Sequence, residues 1–549
     1  MKKHLIKLLI PLTILTGIIS LAVTQSSFYR KVGQSQRLIS NVYSKIFANY
    51  VDELDPETFV NASINSITQN LDPYTSYLVE DEQHNLNVLS KGKYGGVGIQ
   101  LGYRNNNMSV IAPMDGGPAK KAGIMSGDII LKVDDEDVKK LSFNDAAAKI
   151  RGKEGTIVKL SIKRYGENDP IQFNLKRSNI TVKDVTYSGM ISPSTGYIRL
   201  NRFSRNTPNE VGSAFTSLLD NNADNIIIDL RDNPGGLLSS AVSVLDMIVE
   251  KNTPLVSTKG RNKDANRTFY SRRKPLVPAQ VKLAILINQG SASASEIVAG
   301  AVQDLDRGIV IGQRSFGKGL VQTAFTIDDK RAIKVTTARY YVPSGRFIQK
   351  RDYIDEKYIT NKTEEDSVFK TIGGRTVLGN GGITPDSIIV PILMESLSSQ
   401  YWRNGYFYLF AQQNKHNYAT FIDVGEDGDL LKKFQSFIKT KDGVLLPGEK
   451  ELETIAEKIA IIDSTNNSVN SALDILNEFY ANQEVKRRKS ESNDIQQFLL
   501  LEFAGLFDGP EGRLKQAIKD DLTVQSALDI LSNGLVYEAS LMPTKIVEN

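Results

Sequence analysis

The 549-residue sequence contains no cysteine. That removes thiol nucleophiles, thiolate metal sites, disulfides and lipid attachment through an N-terminal cysteine. Histidine is nearly absent as well. His4, His84 and His416 each stand alone, so a histidine zinc site or a Ser-His-Asp triad would have to be built from very scarce parts. Neither sign of charge dominates: 67 basic residues face 63 acidic ones, for a net charge of +4. Without concentrated positive potential, nucleic acid is not an expected partner.

Long uncharged runs are scarce too, with one exception. Lys2, Lys3 and Lys7 precede "LLIPLTILTGIISLAVTQSSFY", Leu8 to Tyr29. Basic residues before an apolar stretch form an export signal, either a cleaved signal peptide or a retained anchor whose lysines stay in the cytoplasm. The strongly apolar part ends near Val23 and no clear small-x-small site follows, so both forms stay open for residues 1–30. Both send the rest of the chain across the inner membrane, to a periplasmic location either soluble or membrane-anchored.

At this length the chain exceeds what one hydrophobic core supports, and three or four domains are expected. Residues 31–90 read as a helical arm: Leu38, Val42, Ile46 and Tyr50 recur every four positions, and a second amphipathic stretch follows "LDPET". The arm closes on "LDPYTSYLVEDE", where Asp72-Pro73 punctuates the helix and Tyr74 and Tyr77 offer aromatic anchors. Residues 91–170 change to short β-rich runs with glycine-laced turns and two helices, one of them "FNDAAAKI". From 175 to 392 strands and helices alternate as in an α/β core, with "NIIIDLR" and "KLAILIN" as buried strands. Residues 395–549 are mostly amphipathic helix, as at Leu452, Ile455, Ile459 and Ile462. The string SALDIL recurs at 471 and 526 without similar surroundings, and "VGEDGD" at 424–429 reads as a solvated turn, not a cation loop.

"INQGSASASEIVAGAVQD", residues 287–304, places three serines between an apolar strand and a helix. Ser293 and Glu296 form an S-x-x-E capping box, which suffices to explain a serine there. A nucleophile is the other reading, because a helix N-terminus offers free amides and positive potential to an oxyanion. Its base would be a lysine, whose ordinary pKa near 10.4 must fall by about three units, worth about 4 kcal/mol, to act at neutral pH. Lys318 sits between Gly317 and Gly319 with no acidic residue from Arg307 through Ile327. It reads either as that base or as a surface lysine in a glycine turn. In an extended segment Gln322 would share its face and could orient the amine without adding charge.

These segments resemble known families. Gly96-Val97-Gly98-Ile99, "GPAKKAGIMSGDIILKVD" and "IRGKEGTIVKLSIKR" are similar to a PDZ domain, in which glycine amides receive a chain-terminal carboxylate and a strand edge accepts an extended peptide. "NQGSASASEIVAGAVQD" followed by "IGQRSFGKGLVQT" resembles the active-site region of the carboxyl-terminal processing peptidases, also called tail-specific proteases. "DLRDNPGGLL", "ARYYVPSGRFIQ" and "GNGGITPD" match further segments of that family, although Asp232 stands where members often have glycine. A longer polar connection at 352–378 is a further departure.

The resemblance implies a multidomain α+β protein: helical arm, PDZ domain, crotonase- or Clp-like α/β protease core and helical C-terminal domain. It implies Ser293 as nucleophile, Lys318 as base and Gln322 as support, with amides of Gly236 and Ala294 as oxyanion hole and Gly96, Val97, Gly98 and Ile99 as the tail-binding loop. The expected protein is a serine endopeptidase of the cell envelope that needs no cofactor or metal. It would cut protein or peptide substrates with apolar C-termini near those ends. Delivery by an adaptor and homo-oligomerisation are left open. Two other functions compete: a catalytically idle PDZ adaptor, and an acyl-thioester enzyme on the same superfold, which the export segment disfavours.

Overall fold

The computed structural model describes residues 27–79, 92–104, 107–114, 116–328, 330–350, 367–390, 396–441, 448–463 and 466–543. The export segment therefore lies outside the described residues up to Ser26, as does most of the polar connection at 352–378. Among the described residues no helix is long and apolar enough to cross a membrane. The chain folds as two units, Met1–Asp72 and Pro73–Asn549.

The first unit is a pair of helices, 27–49 and Pro56–Gln69, broken at "LDPET" as the periodicity predicts. Asp55 caps the second helix by accepting from the Thr58 amide at 2.8 Å, and Pro56 takes the first helical position where no amide is needed. Tyr43, Phe47 and Phe59 pack edge and face across the pair. The sequence reading runs this arm to residue 90, but "SYLV" (Ser76–Val79) is instead a strand in the second unit.

In the second unit, the strands Ile99–Arg104, Asn107–Pro113, Ile129–Val133, Ile157–Lys163 and Ile171–Lys176 form a sheet in that order, with the helix Phe143–Ile150 beside it. Val97, Ile99, Val110, Ile130, Leu160, Ile162 and Ile150 fill its core. The sequence reading closes this small domain at residue 170, whereas its last strand runs on to Lys176. Its sheet order ends on Ile99–Arg104, so the strand after the glycine loop is an edge strand.

The α/β core is a six-stranded sheet in the order Val185–Met190, Thr195–Leu200, Asn225–Asp229, Lys282–Ile287, Ile309–Gly312, Ser387–Ile388, parallel except at the first pair. Alternation sends Ile226, Ile228, Leu283, Ile285 and Ile287 to one face, under the helices Thr207–Asp220, Leu238–Leu245 and Ala294–Asp304. Ile227, Ala284 and Leu286 point to the other. There they meet Val524, Ala527, Leu531 and Tyr537, so the helices Leu522–Ser532 and Gly534–Ser540 form the third layer of this core. Arg231 ties that layer to the sheet by pairing with Asp229 and Asp521, both at 2.7 Å.

A separate aromatic core is formed by Tyr401, Phe407, Phe410, Phe434 and Phe503, in which Phe407 stacks on Phe434 at 4.9 Å. Gln412 of this bundle donates to the Gly127 carbonyl of the small domain at 2.6 Å. Of the periodic residues at 452–462, Leu452 is buried while Ile455 and Ile462 are exposed. The segment at 424–429 contributes to the helix Phe421–Glu426, and Asp427 beyond it takes Tyr418 and Lys433 as partners.

Candidate active site

Two parallel strands end side by side, and each hands over to a strained turn. After Asn225–Asp229, the segment Leu230–Gly236 folds against the residues that follow Lys282–Ile287. Carboxyl ends of parallel strands are where α/β sheets open crevices. Asn233, fully buried, organises the junction. Its side chain donates to the Leu200 carbonyl at 2.8 Å and accepts from the Gly235 amide at 2.9 Å. Its carbonyl accepts from the Ala292 amide at 3.0 Å and the Ser295 hydroxyl at 2.9 Å. The Ser291 hydroxyl donates to the Leu230 carbonyl at 2.8 Å. Two of the three clustered serines thus stitch the turns together.

Ser293 is different. It begins the helix Ala294–Asp304 with φ 55° and ψ −112°, a conformation that costs a non-glycine residue about 1–3 kcal/mol and persists only where surrounding contacts impose it. The Gly235 turn is one such contact. Gly235 has φ 94°, and a Cβ there would lie 2.6 Å from the Ala292 carbonyl oxygen and 2.8 Å from both the Ala294 nitrogen and the Ser293 Cβ. Only glycine permits that approach. Gly236, next in the chain, is bridged to Phe203 and has an exposed backbone. Among the described residues neither the Gly236 amide nor the Ala294 amide donates a hydrogen bond, as two oxyanion donors require. Asp232 adopts φ 58° in place of the family's glycine, held by paired bonds between its backbone and carboxylate and the Asn288 side chain, both 2.8 Å.

Lys318 arrives from a second direction. The glycines around it are close-packed, contrary to a flexible surface turn: a Cβ on Gly317 would lie 2.9 Å from Lys350 Cβ, and one on Gly319 2.8 Å from the Phe347 ring. Lys350 N–H donates to the Gly317 carbonyl at 2.8 Å, and the Gly319 amide donates to Gln349 at 2.9 Å. The motif segments 338–349 and 379–386 therefore form the walls of the lysine loop. The regular strand begins at Leu320, so Lys318 itself lies ahead of the ladder. Gln322 sits on that strand, half-buried, and its amide donates to Thr336 Oγ1 at 3.3 Å.

Two buried side chains join the serine and the lysine. Glu296 accepts the Ser293 amide (2.8 Å) and the Lys318 amide (2.9 Å) on Oε2, and the Ser315 hydroxyl (2.5 Å) and Gly317 amide (2.7 Å) on Oε1. Burial pushes its carboxyl up to about 7, against the pull of these four donors. Tyr340 lies on the opposite side of the main chain, its hydroxyl 2.5 Å from the Lys318 carbonyl and 3.2 Å from that of Ser293. Burial raises its phenol well above the ordinary value. From the sequence alone Glu296 has only a capping role and Tyr340 has none. An acidic residue next to the apolar run Ile297–Val302, in a helix whose only other charge is Asp304 at its end, is the available signal for the first.

In the small domain, Gly98 has φ 73° and lies against Gly117, where a Cβ would be 3.2 Å from the Gly117 Cα. The Val97 and Gly98 carbonyls are taken by the amides of Ala119 (2.9 Å) and Met114 (2.8 Å), which hold the loop at the start of the edge strand. The Val97 and Ile99 side chains point into the domain core.

A model described as peptidase family S41 matches residues 194–358, and a PDZ domain model matches residues 109–164. The carboxy-terminal-processing protease of Bartonella bacilliformis is 37% identical over 313 residues, covering 56% of this chain and 71% of that protein. The chain belongs to peptidase family S41. Another relative, the carboxy-terminal processing protease CtpA of Bacillus subtilis, is 34% identical over 318 residues, 57% of this chain and 66% of that protein. Among solved structures, the photosystem II D1 C-terminal processing protease aligns at 27% identity over 64% of this chain and 86% of its own, with a TM-score of 0.37. The chain is accordingly a serine peptidase of the carboxy-terminal-processing type, with a PDZ domain ahead of its core. The S41 match encloses Gly236, Ser293, Lys318, Gln322 and Tyr340. The loop Gly96–Ile99 precedes the matched part of the PDZ domain, and the sheet-covering helices at 522–540 follow the matched core.

Proposed function

We propose that this S41 peptidase hydrolyses peptide bonds with a Ser293–Lys318 dyad. The observation that carries the reading is the pair of bridges, Glu296 and Tyr340, that bind both residues' main chains at once. Neutral Lys318 takes the Ser293 proton, and the oxygen attacks the substrate carbonyl to form the Ser293 C–O bond. The amides of Gly236 and Ala294 receive the oxyanion, and the lysine's proton goes to the departing amine as the peptide bond breaks. Water then adds to the acyl-enzyme, with Lys318 again accepting the proton, and releases the acid. Gln322 supports the lysine from the neighbouring strand.

The PDZ loop Gly96–Ile99 receives the free C-terminus of a protein or peptide substrate whose last residues are apolar, and the edge strand Ile99–Arg104 extends the contact along the tail. The basic flank and apolar run at residues 1–30 support a periplasmic peptidase, soluble or held at the inner membrane. An adaptor or a second copy of the chain remains compatible with this scheme. An idle adaptor would need neither the strained serine nor the lysine loop packed against it. The test is an unfolded protein ending in apolar residues, incubated with purified enzyme and read by mass spectrometry. Ser293→Ala and Lys318→Ala each abolish cleavage, and undiminished cutting by either variant overturns the dyad.

A further inference from the structure

Tyr74 belongs to the "DPYT" turn that precedes the strand Ser76–Val79. That strand pairs antiparallel with Arg331–Tyr341, Ser76 opposite Lys334 and Val79 opposite Arg331. Thr75 Oγ1 accepts from the Thr336 amide at 3.1 Å, and Thr336 Oγ1 accepts from Gln322 at 3.3 Å. The turn is thereby fastened to the strand that faces Gln322 and carries Tyr340. From this position the Tyr74 ring lies over the Lys318 amine, with Nζ 4.5 Å from the ring centroid.

An aromatic face suits a lysine that must cycle between neutral and charged. A carboxylate there would lock in the ammonium. A ring face carries only the partial negative charge of its quadrupole, so it favours the ammonium weakly while shedding water from one side of the amine. Proton transfer from serine creates that ammonium. Glu296, from the helix Ala294–Asp304, and Tyr340, from the strand Arg331–Tyr341, bind the lysine's amide and carbonyl, whereas Tyr74 is set against the amine itself.

We propose that Tyr74 is a positioning residue for the general base: its ring face holds the Lys318 amine and stabilises the ammonium formed when Ser293 gives up its proton. The proposal rests on the Ser293–Lys318 reading. It makes the segment just after the helical arm part of the catalytic apparatus, and the phenol oxygen is not the group that matters.

The experiment compares full-length wild type, Tyr74→Phe, Tyr74→Leu and Lys318→Ala on the same unfolded substrate across pH, with thermal unfolding of each. Leucine keeps an apolar cover and removes the π face. Tyr74→Leu is expected to lower kcat about tenfold with KM little changed, and to move the acid limb of kcat/KM down by about half to one pH unit. Tyr74→Phe restores both kcat and the limb. Should the leucine variant not fold, Tyr74→Met supplies an unbranched apolar cover for the same measurements. Unchanged kcat in a folded ring-less variant, a limb that moves upward, or failure of phenylalanine to rescue overturns the proposal. Full activity in Lys318→Ala would instead remove the dyad. A dead Lys318→Ala beside a fully active Tyr74→Leu would leave the dyad standing and sink the role of Tyr74 alone.

Discussion

Ser293 and Lys318 donate their main-chain amides to the same atom, Oε2 of Glu296, at 2.8 Å and 2.9 Å. The proposed nucleophile and base are thus spaced by one carboxylate, not by their own side chains. Its other oxygen is taken by the Ser315 hydroxyl and the Gly317 amide, so the group is an acceptor four times over. Glutamine cannot reproduce that. Whichever end carries the NH2 confronts a fixed backbone amide, and an orphaned buried donor costs about 1–3 kcal/mol.

Glu296→Gln is therefore expected to lower kcat by about 10- to 100-fold, because small displacements between reacting groups cost about that much, while the protein remains folded. The pH dependence of stability separates charge from shape. The Glu296 carboxyl is raised from an ordinary 4.5 to about 7 by burial. Between those values the folded protein keeps a proton that the unfolded chain has released. Its stabilising contribution is whole below about 4.5 and is lost as pH rises through 7, a change of about 3 kcal/mol. Denaturant unfolding from pH 4 to 8 should show the wild type's advantage over Glu296→Gln narrowing as pH increases. A constant gap would contradict a buried, titrating carboxylate.

The PDZ loop gives a prediction about substrate ends. Gly98 holds φ 73° against Gly117, and the loop precedes the edge strand on which the sheet ends. A free carboxylate meeting converging amides should bind more tightly than a carboxamide. We expect a substrate with an amidated C-terminus to show a KM about tenfold higher at similar kcat. Gly98→Val should raise the KM of the free acid to the same level. Equal KM values for acid and amide on the wild-type enzyme would show that the loop does not read the terminus.

Much of this architecture is legible locally. Ile226, Ile227 and Ile228 form a continuous apolar run, and the structure buries all three, the outer two on one face and the middle one on the other. The strand-to-helix turn at Ser293 is written in its glycine, its serines and Glu296. Tyr340 illustrates what is not. Its hydroxyl reaches Ser293 across 47 residues because of how the strand Arg331–Tyr341 folds back on Leu320–Thr326, including an irregularity between Val321 and Gln322. No local pattern encodes such a register. Tyr74 is similar: the sequence marks it as an aromatic anchor, but only the pairing of Ser76–Val79 with Arg331–Tyr341 reveals that it lies over the lysine. The helices beyond residue 520 are plain in their periodicity, yet periodicity cannot say what they cover.

What they cover is the face of the protease sheet opposite the Ala294–Asp304 helix, which makes them a test of the fold's limits. Val524, Ala527 and Leu531 recur at helical spacing and are fully buried against Ile227, Ala284, Leu286 and Ile311. Lys282 Nζ donates to the Leu531 carbonyl at 3.0 Å, and the Leu283 amide donates to the Tyr537 hydroxyl at 3.2 Å. Leu531→Ala leaves a cavity beneath the strand that leads to Ser293 and is expected to cost about 2–5 kcal/mol. Because the change is on the sheet face away from the Ala294–Asp304 helix, kcat at low temperature should stay near the wild-type value while the unfolding midpoint of the protease core falls. A stable core in that variant would mean that the C-terminal helices stand apart from the sheet instead of completing it.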